Sequence, residues 1–280
     1  MKKKVVIAGL VLMLTSSAVM ATALFEDDFT SDTLSNYKQS KYFNWYWAGG
    51  SGIPNTITWD TVTNMNVSSN NAYNGTALLQ KNFERPAGST VSATFGPTVG
   101  LDSHPKFYRT RPLGLIISDR LFDDSPQYYA DFKGYVFENC GNYSYFHAMR
   151  FEGLGTQNKK VDLGIKNPTQ SAQVPTHQFE LIFQPTATGF DLLFDSDYLE
   201  DYGVTGPEVL FSDNSGALND VELKYFGIIW GTWDDRASDP DGIGSFWNGA
   251  PIDKITVVPE PATVCLLGLG GLALIGRKRA

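Results

Sequence analysis

The sequence predicts an all-β protein built as an antiparallel sandwich of two sheets. Short runs of β-branched and aromatic residues recur along the chain, and Gly, Pro, Asn, Asp and Ser separate them. Almost no long stretch has helical periodicity. Hydrophobic residues make up 42% and aromatic residues 13% of the 280 residues, which is enough to bury a sizeable core. These features fit one sandwich domain over residues 24–257.

About eleven strands are predicted, each from local alternation or a short apolar run. Residues 56–62 alternate as a half-buried strand does, and residues 179–194 resemble a hairpin around the turn at 185–189. In order, the predicted strands are 24–29, 56–65, 77–83, 90–95, 113–119, 129–138, 145–151, 179–184, 189–194, 221–230 and 252–257.

Residues 1–23 have the parts of a secretory signal peptide. Residues 2–4 are lysines, residues 5–14 are apolar, and Ala21 and Ala23 are small residues at positions −3 and −1 of a cleavage site. The apolar run is shorter than the about 20 residues that a membrane-spanning helix needs. We therefore expect signal peptidase to cleave after Ala23, with an uncleaved anchor as the alternative.

Residues 258–280 form a second targeting segment, here called the sorting tail. A Pro-Glu-Pro motif, an apolar run and a basic cluster follow one another: Pro259, Glu260 and Pro261, then residues 264–275, then Arg277, Lys278 and Arg279. The prolines favour an extended chain. The apolar run predicts a short transmembrane helix, and the basic cluster is expected to stay on the cytoplasmic side.

The sorting tail resembles the PEP-CTERM sorting signal of Gram-negative bacteria in the order and position of its three parts. The resemblance implies recognition by exosortase, a membrane enzyme, and cleavage near the Pro-Glu-Pro motif. It also implies delivery to the cell surface or extracellular matrix of a bacterium that makes exopolysaccharide and lives in biofilms. An ordinary C-terminal anchor with a coincidental motif is the alternative.

The charge balance argues against nucleic-acid binding. Residues 24–258 hold 16 basic and 29 acidic residues, a net charge of −13, once the basic ends of the chain and Glu260 are set aside. Such a domain repels phosphate backbones.

The two ends of the predicted domain resemble those of concanavalin A-like, or laminin G-like, jelly rolls. Residues 25–29 read FEDDF and residues 252–257 read IDKITV. The resemblance implies a jelly-roll sandwich whose first and last strands pair. It also implies carbohydrate or adhesive binding, and in some members glycan cleavage.

Two aromatic clusters are candidate ligand-binding sites. Their tryptophans are Trp45 and Trp47 in the first cluster and Trp230, Trp233 and Trp247 in the second. Indole rings stack on sugar rings, but they also fill sandwich cores, so core packing is the alternative.

The second cluster surrounds the densest acidic segment of the chain. Asp235, Asp239 and Asp241 lie within seven residues, next to Gly242, and could wrap a calcium ion with oxygen ligands. A solvated acidic turn is the alternative reading.

No catalytic residues are predicted. The Glu-x-Asp-x-x-Glu strand motif of laminarinase-like jelly rolls does not occur, and Asp191 and Asp195 lack a third carboxylate. His147 and Arg150 could serve a polysaccharide lyase, but strand alternation puts them on opposite faces, and a structural role is favoured for His147.

Three functions therefore stay open. The leading one is a non-enzymatic surface or matrix protein whose sandwich binds polysaccharide or a neighbouring protein. The alternatives are a secreted polysaccharide lyase or glycoside hydrolase on the same fold, and a structural film component without a specific ligand.

Overall fold

A computed structural model describes most of the predicted domain. The described residues are 22–43, 56–60, 64–68, 75–96, 112–122, 132–140, 146–153, 160–166, 178–197, 205–231 and 252–259. In order, the strands are β1 Phe25–Asp27, β2 Tyr37–Phe43, β3 Thr56–Asp60, β4 Asn64–Ser68, β5 Gly75–Gln80, β6 Thr90–Phe95, β7 Pro112–Ser118, β8 Lys133–Cys140, β9 Phe146–Glu152, β10 Lys160–Lys166, β11 Phe179–Pro185, β12 Phe190–Ser196, β13 Glu208–Asp213, β14 Tyr225–Gly231 and β15 Ile252–Val258. One turn of 3₁₀ helix, Leu34–Asn36, precedes β2.

The strands form two large antiparallel sheets and a separate hairpin. One sheet has six strands in the order β1-β15-β6-β11-β12-β13, and the other has seven in the order β10-β9-β8-β7-β14-β5-β2. Strands β3 and β4 pair only with each other within the described part of the chain. The predicted all-β jelly-roll sandwich is confirmed, and so is the pairing of its first strand with its last.

The main core lies between the two sheets and follows from strand alternation. In β6, Val91, Ala93 and Phe95 are fully buried, whereas the threonines and the serine between them are half-buried. Aromatic rings meet across the sheets: Phe146 of β9 and Phe194 of β12 have centroids 4.7 Å apart. The aromatic richness of the sequence is thus largely used to fill this layer.

A second apolar cluster covers the outer face of the seven-stranded sheet. Its strand members come from β5, β7, β8, β9 and β14: Ala77, Leu79, Ile116, Val136, Met149, Phe151 and Ile229. Because both faces of this sheet are covered, six consecutive residues of β9 are buried. Close strand contact also restricts side chains here: a Cβ on Gly227 would lie 1.8 Å from the carbonyl oxygen of Leu78.

Several element predictions differ from the structure. The single strand predicted at 56–65 is instead the β3–β4 hairpin, which turns between Asp60 and Asn64. Three strands were not predicted, namely β2, β10 and β13, and each lies at the edge of its sheet. Edge strands keep polar and charged residues because one side faces solvent. This weakens the apolar alternation of β2 (YKQSKYF) and β13 (EVLFSD), whereas β10 (KVDLGIK) keeps its alternation and was nevertheless missed.

The upper end of the sandwich is defined as the end where β15 begins and β14 finishes. Ile252 pairs with Phe95, which in turn pairs with Phe179 at the start of β11. In the other sheet, β9 begins at Phe146, whose ring lies 6.3 Å from that of Phe179. Strand ends of both sheets therefore meet at this end.

The lower end is the opposite end, where β15 finishes. Val258 pairs there with Thr90, and the turn between β11 and β12 lies at the same end. The amide of Leu24 donates to the carbonyl oxygen of Val257 over 2.8 Å. The first and last described segments of the chain therefore leave the sandwich side by side at the lower end.

Candidate functional site

Most of the residues proposed from the sequence fall outside the described part of the chain. They are Trp45, Trp47, Trp233, Trp247, Asp235, Asp239, Asp241, Glu260, Pro261, Arg277, Lys278 and Arg279. Trp230 is the next-to-last residue of β14, between Thr76 of β5 and Leu113 of β7. Pro259 follows the end of β15 directly.

The strands that flank the tryptophan-containing segments all end or begin at the upper end. Strand β2 ends at Phe43, two residues before Trp45, and Phe43 pairs with Gly75. Gly75 also pairs with Gly231, which ends β14 two residues before Trp233. The two predicted aromatic clusters therefore continue from strand ends that share a neighbour, β5. The segment containing Trp247 leads into β15 at the same end of the sandwich.

A charged side-chain cluster lies on the outer face of the seven-stranded sheet. Nδ1 of His147 lies 3.2 Å from Oε1 of Glu138, and Nε2 lies 2.9 Å from Oδ1 of Asp162. Glu138 is fully buried and His147 is 2% exposed, whereas the side chain of Asp162 is largely exposed. The cluster joins three adjacent strands, β8, β9 and β10, and is called the His147 cluster below.

Both contacts of His147 favour its protonated form. Burial alone would lower the pKa of His147, but hydrogen bonds and attraction from Glu138 and Asp162 raise it above its ordinary value. Burial likewise would raise the pKa of Asp162, whereas the Gly164 amide and His147 bring it below its ordinary value. Because both partners accept hydrogen bonds, an imidazolium that donates from both nitrogens satisfies them together.

The His147 cluster was missed because one of its members lies in an unpredicted strand. Glu138 and His147 are register partners in β8 and β9, both of which were predicted at nearly these positions. Asp162 lies in β10, beside a bulge where Gly164 has φ +112°. The cluster holds an edge strand to its sheet, which agrees with the structural role favoured for His147.

Arg150 lies on the opposite face of β9, as alternation predicts, and contacts the other sheet. Its guanidinium donates to both carboxylate oxygens of Asp213, at 2.9 and 2.8 Å, and to Glu152 at 2.6 Å. The hydroxyl of Tyr135 donates to the same carboxylate over 2.8 Å. Burial opposes ionisation of Asp213, but hydrogen bonds from Ser215, Arg150 and Tyr135 outweigh it and lower its pKa.

A shallow acidic groove of about 490 Å³ lies at the upper end of the outer face of the six-stranded sheet. Its charged lining residues are Glu180, Asp195, Asp197, Asp253 and Lys254. Burial and, to a lesser degree, repulsion from Asp195 raise the pKa of Glu180. Within the described ranges, no group of three His, Cys, Asp or Glu side chains is arranged to hold a metal ion.

Comparison with known proteins gives one match of sequence and several likenesses of structure. Residues 257–280 match the PEP-CTERM protein-sorting motif. A search of curated proteins found no match to this sequence. Among the described residues, no helix is long and apolar enough to cross a membrane.

The structural likenesses are to β-sandwich proteins of low sequence identity. A Ca²⁺- and Man2-bound exoplasmic/lumenal domain of VIP36 is 12% identical, with a TM-score of 0.47 over 81% of this chain and 90% of that one. The carbohydrate recognition domain of Emp46p is 10% identical, with a TM-score of 0.46 over 83% and 94%. An endo-1,3-beta-glucanase from Streptomyces sioyaensis is 15% identical, with a TM-score of 0.42 over 84% and 95%.

The sorting motif and the fold meet at β15. The matched residues begin at Val257, inside the last strand, and continue through Pro259 and the basic cluster predicted from the sequence. The chain is thus an antiparallel two-sheet β-sandwich whose C-terminal segment is a PEP-CTERM protein-sorting motif.

Proposed function

We propose that the protein is an exported surface or matrix protein of a Gram-negative bacterium, sorted by exosortase, whose sandwich binds polysaccharide at its upper end. Binding, rather than turnover, is the proposed activity. The PEP-CTERM motif supports the export and sorting part of the proposal.

One observation carries the binding part. The strands flanking the segments with Trp45, Trp47, Trp233 and Trp247 meet at the upper end, while the sorting motif leaves at the lower end. A domain held at a membrane or cell surface through its lower end would present these segments outward. Tryptophan rings there can stack on sugar rings, and neighbouring Asp and Asn side chains can hydrogen-bond to hydroxyl groups.

The net charge of the domain favours one class of polysaccharide as the ligand. With a net charge of −13 over residues 24–258, the domain repels strongly anionic polymers at low salt. We therefore propose a neutral polysaccharide as the ligand. A uronic-acid polymer would have to overcome this repulsion before any ring contact could form.

The His147 cluster supports binding over catalysis. Glu138 and His147 are buried against each other, and Asp162 fixes the second ring nitrogen. A general acid or base must reach the proton it transfers, over about 3 Å or through one water. The geometry of this cluster suits holding three strands together.

Affinity electrophoresis of the mature protein in gels containing a neutral polysaccharide tests the proposal. We expect the double substitution W233A/W247A to remove retention, because each stacked ring contributes about 1 kcal/mol and about 1.4 kcal/mol corresponds to a tenfold change in affinity. The melting temperature should stay nearly unchanged. Tyr225→Ala removes a ring at the lower end and serves as the matched control, with retention preserved.

Two other results would replace the proposal. Release of sugar products by the native protein would identify an enzyme. A stability loss of several kcal/mol in W233A/W247A, with no polysaccharide retained by the native protein, would identify these rings as core and the protein as a structural film component.

A further inference from the structure

The sorting motif begins inside the folded domain. The match starts at Val257, whereas β15 continues to Val258. Val257 is fully buried and pairs with Phe25 of β1 on one side and Val91 of β6 on the other. The Pro-Glu-Pro motif therefore follows the sheet without a spacer.

The backbone groups of Val257, just before the Pro-Glu-Pro motif, already form hydrogen bonds within the sheet. The carbonyl oxygen of Val257 accepts from the Leu24 amide over 2.8 Å, and the β6 ladder occupies the other side of β15. Enzymes and domains that bind peptides in extended form use the peptide's own main-chain groups. With β1 in place, Val257 cannot offer these groups to a processing enzyme.

The Pro-Glu-Pro motif also lies so close in sequence to β15 that an enzyme bound to the motif would contact the sandwich. Glu260 is two residues beyond Val258, and a fully extended chain spans at most about 7 Å over that length. A processing enzyme that binds residues on both sides of Glu260 would therefore collide with the lower end of the sandwich before its surface reached Val258.

Strand β1 is the shortest of the described strands and one of the two that hold this end of β15. It has three residues and lies at the edge of its sheet, so β15 is its only strand partner among the described residues. The Glu26–Lys254 ion pair beside it is exposed, with its atoms 3.6 Å apart. Terminal edge strands open at a lower free-energy cost than the rest of a domain.

We infer that β1 controls access to the sorting motif: the processing enzyme acts on the form in which β1 and the end of β15 have separated, and docking of β1 protects the motif. This inference rests on the proposed processing by exosortase. The sandwich itself then decides whether folding or cleavage comes first, and docking of the N-terminal strand β1 controls processing at the C-terminal motif.

A reversible lock tests the inference in cells that process the full chain. Glu26 and Thr256 are register partners, and the Thr256 hydroxyl has no hydrogen-bond partner in the described part of the chain, so E26C/T256C removes no buried hydrogen bond there. We expect the disulfide to lengthen the half-life of the precursor about tenfold, and a reducing agent to restore it. The matched control D191C/S212C locks the other edge of the same sheet, β13 onto β12, and should leave the half-life unchanged.

A spacer gives the second, independent measurement. Six Gly and Ser residues inserted between Val258 and Pro259 free the motif from the sheet, so we expect the precursor to be processed faster and E26C/T256C to lose its effect. An unchanged half-life in both the locked and the spacer variants would overturn the inference. Failure of the proposed sorting is a different result: the native precursor would then persist as long as P259A/E260A/P261A.

Discussion

His147 lies between two carboxylates that belong to the strands on either side of its own. The interaction matters for stability because the pKa of His147 is raised in the folded state by Glu138 and Asp162. A group of this kind contributes stability below its unfolded pKa of about 6.5, and the contribution disappears as pH rises through the folded value. Asp162, whose pKa is lowered, contributes above its own unfolded value.

These opposite pKa shifts predict how the effect of His147→Gln on stability changes with pH. We expect the native protein to exceed the variant in melting temperature most clearly near about pH 5.5, above the titration of Asp162 and below the unfolded pKa of His147, and the difference to shrink as pH rises through the folded pKa of His147. Thermal unfolding of both proteins across this range measures it. Asp162→Asn should flatten the same dependence, and a difference that does not vary with pH would contradict a charged His147.

At the scale of elements, side chains tie the edge strand β13 to the opposite sheet. Asp213 ends β13, and its carboxylate accepts hydrogen bonds from Arg150 of β9 and Tyr135 of β8. The side chains of Arg150 and Asp213 are 10% and 5% exposed, so solvent screens this pair little. The contact joins the edge of the six-stranded sheet to the seven-stranded sheet.

Asp213→Ala should therefore lower the free energy of unfolding by more than the loss of a single exposed contact would. It leaves the Arg150 charge and the Tyr135 hydroxyl buried without their shared acceptor, and breaking such a pair costs about 3 kcal/mol. Urea unfolding measures the change. The exposed pair of Glu26 and Lys254 is the control, because Glu26→Gln should change the unfolding free energy by less than about 0.5 kcal/mol. Equal losses in the two variants would show that burial does not decide the effect.

The elements that the sequence predicted well are those whose burial is one-sided and regular. Strands β6 and β11 were predicted almost residue for residue, because buried residues alternate with half-buried ones over most of their length. Strand β12 was predicted equally well, although Leu192, Leu193 and Phe194 are buried in succession there.

Strand β10 reads KVDLGIK and was missed although Val161, Leu163 and Ile165 alternate there with polar residues and glycine; its residues are exposed or half-buried. Because β10 was not predicted, the sequence did not place Asp162 beside His147. His147 itself lies in a strand that is buried on both faces, so alternation did not mark it as a site residue.

At the scale of the whole molecule, the sorting motif leaves one end of the sandwich, and the strands that flank the tryptophan-containing segments end or begin at the other. The seven residues of β15 span about 23 Å, at about 3.3 Å per residue, between the upper end and the sorting motif. Side chains at the two ends should therefore differ in access when the protein is held at a membrane. The resemblance to jelly rolls implied the pairing of the first and last strands, but it did not predict that β2 and β14 end beside β5 at the same end of the sandwich.

Labelling of the membrane-held precursor tests the orientation. In the P259A/E260A/P261A background, Asp197→Cys places a thiol at the upper end and Thr188→Cys places one in the lower turn between β11 and β12. We expect a bulky, membrane-impermeant maleimide to label the first several-fold faster than the second, and the rates to become equal once detergent releases the protein. Faster labelling of the lower thiol in spheroplasts, whose opened outer membrane admits the reagent, would reverse the proposed orientation.

The position of β15 also has a mechanical consequence. A ligand that pulls on the upper end while the C-terminal segment is held loads β15 along its own length. The strand lies second from the edge of its sheet, paired with β1 and β6, and the hydrogen bonds of antiparallel pairs run perpendicular to the strands. Such a force shears all the bonds of the β6–β15 ladder together, whereas a force that peels a strand breaks them one at a time. The sandwich therefore meets tension between its upper and lower ends by shear along the β6–β15 ladder.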